Sequence, residues 1–208
     1  MTSASPVVYH YFNIGRLGRG EVIKLFMQDA GIEFKEVRYS LDDTWAKVSK
    51  DLQAQGKSRT GKVPILEIHG LTLTQHLPIL RYLARDLGRY DGETNAEKYL
   101  VDAVADIYID WRSRWVKNLD EKTEAYKDGF VPESYKVLGE YYDDYTGPYL
   151  LGDKVTYADF AVYQAIDNDE RTGTLPSTLP ESLRTFRVAF EQRPNIASYI
   201  KENLPGAK

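Results

Sequence analysis

Up to about Asp86 the apolar residues switch repeatedly between a period of two and a period near 3.6; beyond Asn95 only the second period is found. VVYHYF alternates as a strand. The segment after it puts Val22, Ile23, Leu25, Phe26 and Ala30 on one broad face before Gly31, which reads as a helix and its stop. EFKEVRYS alternates again, DDTWAKVSKDLQ reads as a short helix, and PILEIHGLTLT as two short strands joined at His69-Gly70. LPILRYLARDL supplies another helix, with Pro78 in the first turn, where a missing N–H costs nothing. The expected order is β-α-β-α-β-β-α over residues 1–86. GRYDGET follows as a polar, glycine-containing linker, and residues 95–208 form an all-helical unit, interrupted near Gly129–Pro132, Gly147-Pro148, TGTLPSTLPES and Arg193-Pro194.

Composition removes whole classes of chemistry. The chain has 208 residues and no cysteine, so disulfides, thiolate zinc sites, thiol nucleophiles and dithiol redox steps are excluded together. Its three histidines, His10, His69 and His76, lack metal-ligand spacing, so no metal is expected. A net charge of −4 offers no global attraction for nucleic acid or anionic membrane. No run approaches the roughly 20 apolar residues that span a bilayer, and MTSASP lacks the apolar segment of a signal peptide, so a cytoplasmic location is expected. Any reactive thiol must arrive on a ligand.

Five stretches bear on chemistry. Gly15, Gly18 and Gly20 are spaced GxxGxG, which matches neither the dinucleotide fingerprint nor the lysine-bearing phosphate loop; a tight strand-to-helix turn explains them. Pro64 in KVPILEI admits two readings: a first-residue strand proline, or a cis Val63-Pro64 bond that turns the preceding backbone outward. Gln75 and His76 open a helix, whose free N–H groups and positive end can hold a carboxylate, or serve as a polar cap. Thr156 and Asp159 make a capping box, a folding device. Asp102, Asp106 and Asp110 stack at i, i+4 on one helix, either as a solvated face or as a site for a cationic group.

Together these segments resemble the cytosolic glutathione transferase family over nearly the whole chain. YFNIGRLGRGEVIKL is similar to the family's start, a strand-end tyrosine before an Arg-Gly-Arg turn, here with about two extra residues. KVPILEIHGLTLTQHLPILRYLAR resembles its proline-hairpin-helix block, LVDAVAD its dimer-helix aspartates, and LLGDKVTYADF and FEQRPNIASYI its later segments. The fit is best to the tyrosine-type, sigma-like classes, in a divergent branch of fungal type. The resemblance implies a thioredoxin-like N-terminal domain with a mixed four-stranded sheet, an all-helical C-terminal domain, and a homodimer. It implies that Tyr11 is catalytic, donating a hydrogen bond to the glutathione sulfur. It places glutathione against Arg19, Trp45, Lys50 (or Lys47), Lys62, Val63, Pro64, Gln75 and His76, with Asp106 reaching the neighbouring subunit's ligand. Ile14, Leu17, Arg112 and Trp115 are candidates for a second, apolar substrate pocket. The family normally carries serine where this chain has His76, a departure that removes a hydroxyl from the expected carboxylate site. The implied activity is conjugation of the glutathione thiolate to small apolar electrophiles. A glutathione-dependent isomerase or lyase, and a non-catalytic binding module, are the alternatives.

Overall fold

The computed structural model describes residues 6–202; Met1–Ser5, within the stretch read as lacking a signal segment, and residues 203–208, the end of the expected helical unit, lie outside the described residues. The chain divides into two compact units between Leu83 and Ala84.

In the first unit, β1 (Val8–Phe12), α1 (Arg19–Ala30), β2 (Lys35–Tyr39), α2 (Trp45–Ala54), β3 (Ile65–Ile68), β4 (Leu71–Thr74) and α3 (His76–Leu87), whose last turn falls in the second unit, follow the expected order. The sheet order is β2-β1-β3-β4, with β1 and β2 parallel and the other pairs antiparallel. This is the thioredoxin-like arrangement. A parallel pair needs a crossover, and α1 provides it. The antiparallel β3–β4 pair closes in two residues, His69 and Gly70, with φ of 51° and 76°, the left-handed values of the tight hairpin turn. β1 is central, and its Tyr9, His10 and Tyr11 are all buried. α1 ends on Gly31, whose left-handed φ of 70° lets its N–H return to the last turn. The Val63-Pro64 bond is cis.

In the second unit, α4 (Asn95–Lys117), a π-helical stretch (Ala125–Phe130), α5 (Val131–Asp143), α6 (Tyr157–Thr172), α7 (Glu181–Glu191) and α8 (Pro194–Glu202) pack around α6, which is buried from Tyr157 to Asp169. Two departures from expectation are physical. Gly129–Pro132 is no interruption: the π-helical stretch runs straight into α5, Val131 N donating back to Tyr126 O, and Pro132 is the second residue of α5. The expected linker 88–94 belongs to the helical unit, because Tyr157 N donates to Tyr90 O at 2.8 Å and Lys154 Nζ meets Glu93 Oε1 at 2.5 Å. Among the described residues no helix is long and apolar enough to cross a membrane.

α4 and α6 both start with reciprocal capping boxes, Thr94 with Glu97 and Thr156 with Asp159. Asp159 goes further. It accepts from Thr156 N (2.6 Å) and Oγ1 (2.8 Å), Leu150 N (3.0 Å) and Tyr142 OH (2.8 Å), so a fully buried carboxylate has every acceptor position answered. At the other end of α6, Asp169 accepts from Trp111 Nε1, Tyr135 OH, Tyr126 OH and Thr174 Oγ1 at 2.5–2.9 Å.

Candidate active site

The sheet register gathers several expected residues at one end of the first unit. Tyr11 lies opposite Arg38 of β2. On its other side β1 pairs His10 with Ile65, and β3 pairs Ile65 with Thr74. Pro64 immediately precedes and Gln75 immediately follows this last pair, just outside the ladder. α1 begins at this end, after Gly18, and α3 begins directly after Gln75, with Ile79 N donating to Gln75 O at 2.9 Å. Two helix N-termini, each a local concentration of N–H donors and positive potential, thus open at the edge that carries Tyr11. α1 is entered through Gly18 and has no side-chain cap.

Tyr11 is enclosed. It is the fourth residue of β1, one before the strand ends, and only 3% exposed. By strand alternation it shares a face with Tyr9, and the two rings are nearly parallel with centroids 6.3 Å apart. Both rings press against the start of α1. A Cβ added to Gly20 would fall 2.3 Å from Tyr11 Cγ and Cδ1 and from Tyr9 OH; one added to Gly18 would fall 2.7 Å from Tyr11 OH. Gly18 therefore does two things: it takes a left-handed φ of 77° as the chain enters the helix, and it keeps a side chain out of the space beside that hydroxyl. In the same turn, Arg16 Nε and Glu21 Oε1 stand 3.4 Å apart, both side chains buried. Burial drives the Tyr9 phenol well above its ordinary pKa, with Tyr11 and Glu21 adding to the effect and Arg38 opposing it, so Tyr9 stays neutral.

The other expected residues are distributed as follows. Val63 and Pro64 are buried and stand before the β3 ladder, which starts at Ile65. Gln75 is exposed, with a left-handed φ of 69°, and His76 is buried at 3% as the first residue of α3. Arg19, Ile14 and Leu17 are half-buried in the α1 turn. Lys62 is exposed, while its backbone is fixed by Ser58, whose Oγ accepts from Lys62 N at 2.9 Å and donates to Lys62 O at 2.8 Å. Trp45 heads α2 and packs on Phe12, centroids 4.5 Å apart, and on Tyr39 at 5.9 Å. Lys47 and Lys50 are exposed. In the helical unit Asp106 is exposed and Arg112 half-buried. Trp115 is 3% exposed, stacked on Trp111 at 5.8 Å, and donates to Thr172 Oγ1 at 3.3 Å, so this side chain belongs to the unit's aromatic interior.

Three participants escaped the sequence reading: Tyr9, the Arg16–Glu21 pair, and Ser58. Tyr9 carried a signal, since it shares strand parity with Tyr11. Ser58 carried none, lying in the polar loop AQGKSRTGK, where every neighbour is equally hydrophilic.

A separate polar cluster occupies the sheet's other face. His10 Nδ1 lies 2.8 Å from Tyr39 OH, His10 Nε2 2.6 Å from Glu67 Oε1, and Lys57 Nζ donates to the same oxygen at 2.6 Å. Burial lowers the His10 pKa below its ordinary value, against the pull of Glu67; the Lys57 hydrogen bond holds Glu67 below the usual carboxylate value.

Comparison with known proteins places this geometry. The glutathione S-transferase N-terminal domain model matches residues 7–85, and the C-terminal domain model matches residues 109–203. Glutathione S-transferase A4 of Mus musculus is 31% identical, covering 99% of this chain and 91% of its own. The hematopoietic prostaglandin D synthase of Gallus gallus is 36% identical over 72% of each chain. A solved glutathione S-transferase of Caenorhabditis elegans superposes with a TM-score of 0.81 at 27% identity, covering 96% of this chain and 99% of the other. With both domain models matched in order and relatives above 30% identity over most of its length, the chain belongs to the cytosolic glutathione S-transferase family.

Proposed function

We propose that this protein is a glutathione transferase, sigma-like in type, that conjugates glutathione to small hydrophobic electrophiles as a cytoplasmic homodimer. The observation that carries the reading is the Tyr11 hydroxyl set beside Gly18, at the N-terminal end of α1. A free thiol ionises near pKa ~8.5, and a donor aimed at sulfur favours the thiolate. Lowering that value by ~2 units requires about 2.7 kcal/mol, within reach of one charge-assisted hydrogen bond in an enclosed site plus a helix dipole. The thiolate then attacks an electrophilic carbon. Val63 meets the tripeptide's cysteine through its backbone. Gln75 and His76 receive the γ-glutamyl carboxylate at the start of α3, His76 through its N–H. Trp45, Lys50 and Lys62 serve the glycyl end, Arg19 supports the turn above Tyr11, and Asp106 reaches the ligand ammonium of the second subunit. Ile14, Leu17 and Arg112 border the electrophile, with Trp115 as backing. The missing serine hydroxyl at 76 costs one charge-assisted bond, about 1.5–3 kcal/mol, so glutathione binds more weakly than to a serine-bearing relative.

Purified protein should turn over a chloronitrobenzene-type substrate with glutathione, and Tyr11→Phe should lower kcat/KM tenfold or more. Absence of turnover across a broad electrophile panel would reject conjugation. The likeness to the Gallus gallus prostaglandin D synthase favours a second reading, in which glutathione adds reversibly and the product is an isomer. A free thiol pool unchanged after turnover selects it.

A further inference from the structure

The helical unit contains a recess of about 650 Å³, walled by the end of α3 and the segment after it, the first turn of α4, and residues preceding α6 and α8. Five cationic side chains line it (Arg85, Arg89, Lys98, Lys154 and Arg193) against two carboxylates, Asp91 and Glu93. That is an excess of three positive charges in a chain whose net charge is −4. We infer that this recess is a binding site for a compact polyanion carrying two or three linked phosphates. The inference is independent of the glutathione chemistry above, since it uses only side chains of the helical unit.

The geometry favours phosphate over a diffuse cationic surface. Two of the guanidinium groups are held in place: Arg89 Cζ sits 4.8 Å over the Tyr90 ring, and Arg193 Cζ 5.5 Å over the Tyr149 ring, with Nη1 donating to Tyr149 OH at 3.3 Å. A stacked guanidinium loses less rotamer entropy on binding and presents a planar fork suited to phosphate oxygens. The carboxylates are engaged along the wall. Glu93 meets Lys154 at 2.5 Å, and Asp91 Oδ1 accepts from Gly92 N at 2.8 Å while Oδ2 lies 3.7 Å from Arg85 Nε. The nearby start of α4 is not the attraction, because the N–H groups of Glu93 and Thr94 already donate to the Glu97 carboxylate at 2.8 and 2.9 Å. The site is therefore built from side chains. Its volume lies within the range of roughly 300–1,000 Å³ of small-molecule sites and exceeds what a single phosphate fills. An excess of three charges is matched by a di- or triphosphate.

The test is calorimetric titration of the full-length protein with sodium tripolyphosphate at low ionic strength. Saturable 1:1 binding is expected, weakening as salt is added. Arg89→Gln with Lys98→Gln should weaken it tenfold or more, and Arg89→Lys, which keeps the charge but removes the fork, should weaken it less. Lys122→Gln, an exposed lysine outside the recess, should change it less than twofold. Saturating glutathione should not displace the probe, and conjugation kinetics of the double variant should match the parent, which keeps this test separate from that of the transferase reading. No saturable heat, an unchanged affinity in the double variant, an equal loss in Lys122→Gln, or displacement by glutathione would each overturn the inference. Citrate binding as tightly as tripolyphosphate would overturn the phosphate assignment.

Discussion

The starts of α4 and α6 in the helical unit and the start of α1 in the α/β unit are built in opposite ways. In the helical unit, α4 and α6 answer their first N–H groups with their own side chains, through Thr94–Glu97 and Thr156–Asp159, and the buried carboxylates of Asp159 and Asp169 each receive four donors. In the α/β unit, Gly18 precedes α1 with no side-chain cap, beside the Tyr11 hydroxyl, at the same end of the sheet as the start of α3. The contrast teaches that a helix start can be fixed either by its own side chains or by leaving side chains out. Closed networks fix the starts of α4 and α6, whereas α1 is entered through a glycine that leaves room for the Tyr11 ring.

The contrast can be broken most forcefully at Gly20. A methyl group there would overlap the Tyr11 ring and the Tyr9 hydroxyl, both in the core, at 2.3 Å. Gly20→Ala should cost about 3 kcal/mol or more of stability, by the upper range for overpacking, and should abolish transferase activity in the fraction that folds. Thermal melts and specific activity measure the two effects, and a melting temperature within a degree of the parent would show that the close approach is unimportant.

A smaller loss is expected from Asp169→Asn. Two of the four donors would then face an NH₂ group, leaving buried hydrogens unmatched at about 1–3 kcal/mol. Denaturant melts should register that loss while the Kd for glutathione stays within twofold, because the knot lies wholly in the helical unit.

The smallest effect is one of pH, and its sign differs between the units. His10 has a depressed folded pKa, caused first by burial, so its contribution is complete above its unfolded value near 6.5 and falls as pH drops through that value toward the folded one. Glu67, depressed mainly by the Lys57 hydrogen bond, adds a further loss as pH falls below 4.5. Asp159 and Asp169 are raised, chiefly by burial, so acidification favours their native forms. Stability should therefore decline between pH 7.5 and 5.5, and His10→Gln should flatten that decline by roughly 1 kcal/mol or less. Melts at the two pH values check it; an unchanged slope in the variant would remove His10 from the account.

How much of this could be read in the residues depended on distance along the chain. Local signals were sufficient for the strand-helix alternation, the hairpin at His69-Gly70, and the Thr156–Asp159 box, each of which is complete within a few residues. The Asp169 knot was not readable. Its donors Trp111, Tyr126 and Tyr135 lie 34 to 58 residues away and look like ordinary helical aromatics. Trp115 carries the same ambiguity, because aromatic character at helical spacing serves a core as well as a pocket. At the sheet edge, Tyr11 was identifiable by its place before the glycine turn, but its enclosure was not. That depends on the helix start folding down over the strand, a tertiary contact permitted by the absence of two Cβ atoms at 18 and 20.

The most direct measurement is the ionisation of bound glutathione, followed by thiolate ultraviolet absorbance against pH in the parent protein and in Tyr11→Phe. The account predicts a bound-thiol pKa ~2 units below the free value of ~8.5 in the parent, returning most of the way to that value in the variant. An identical bound pKa in the two proteins would contradict it.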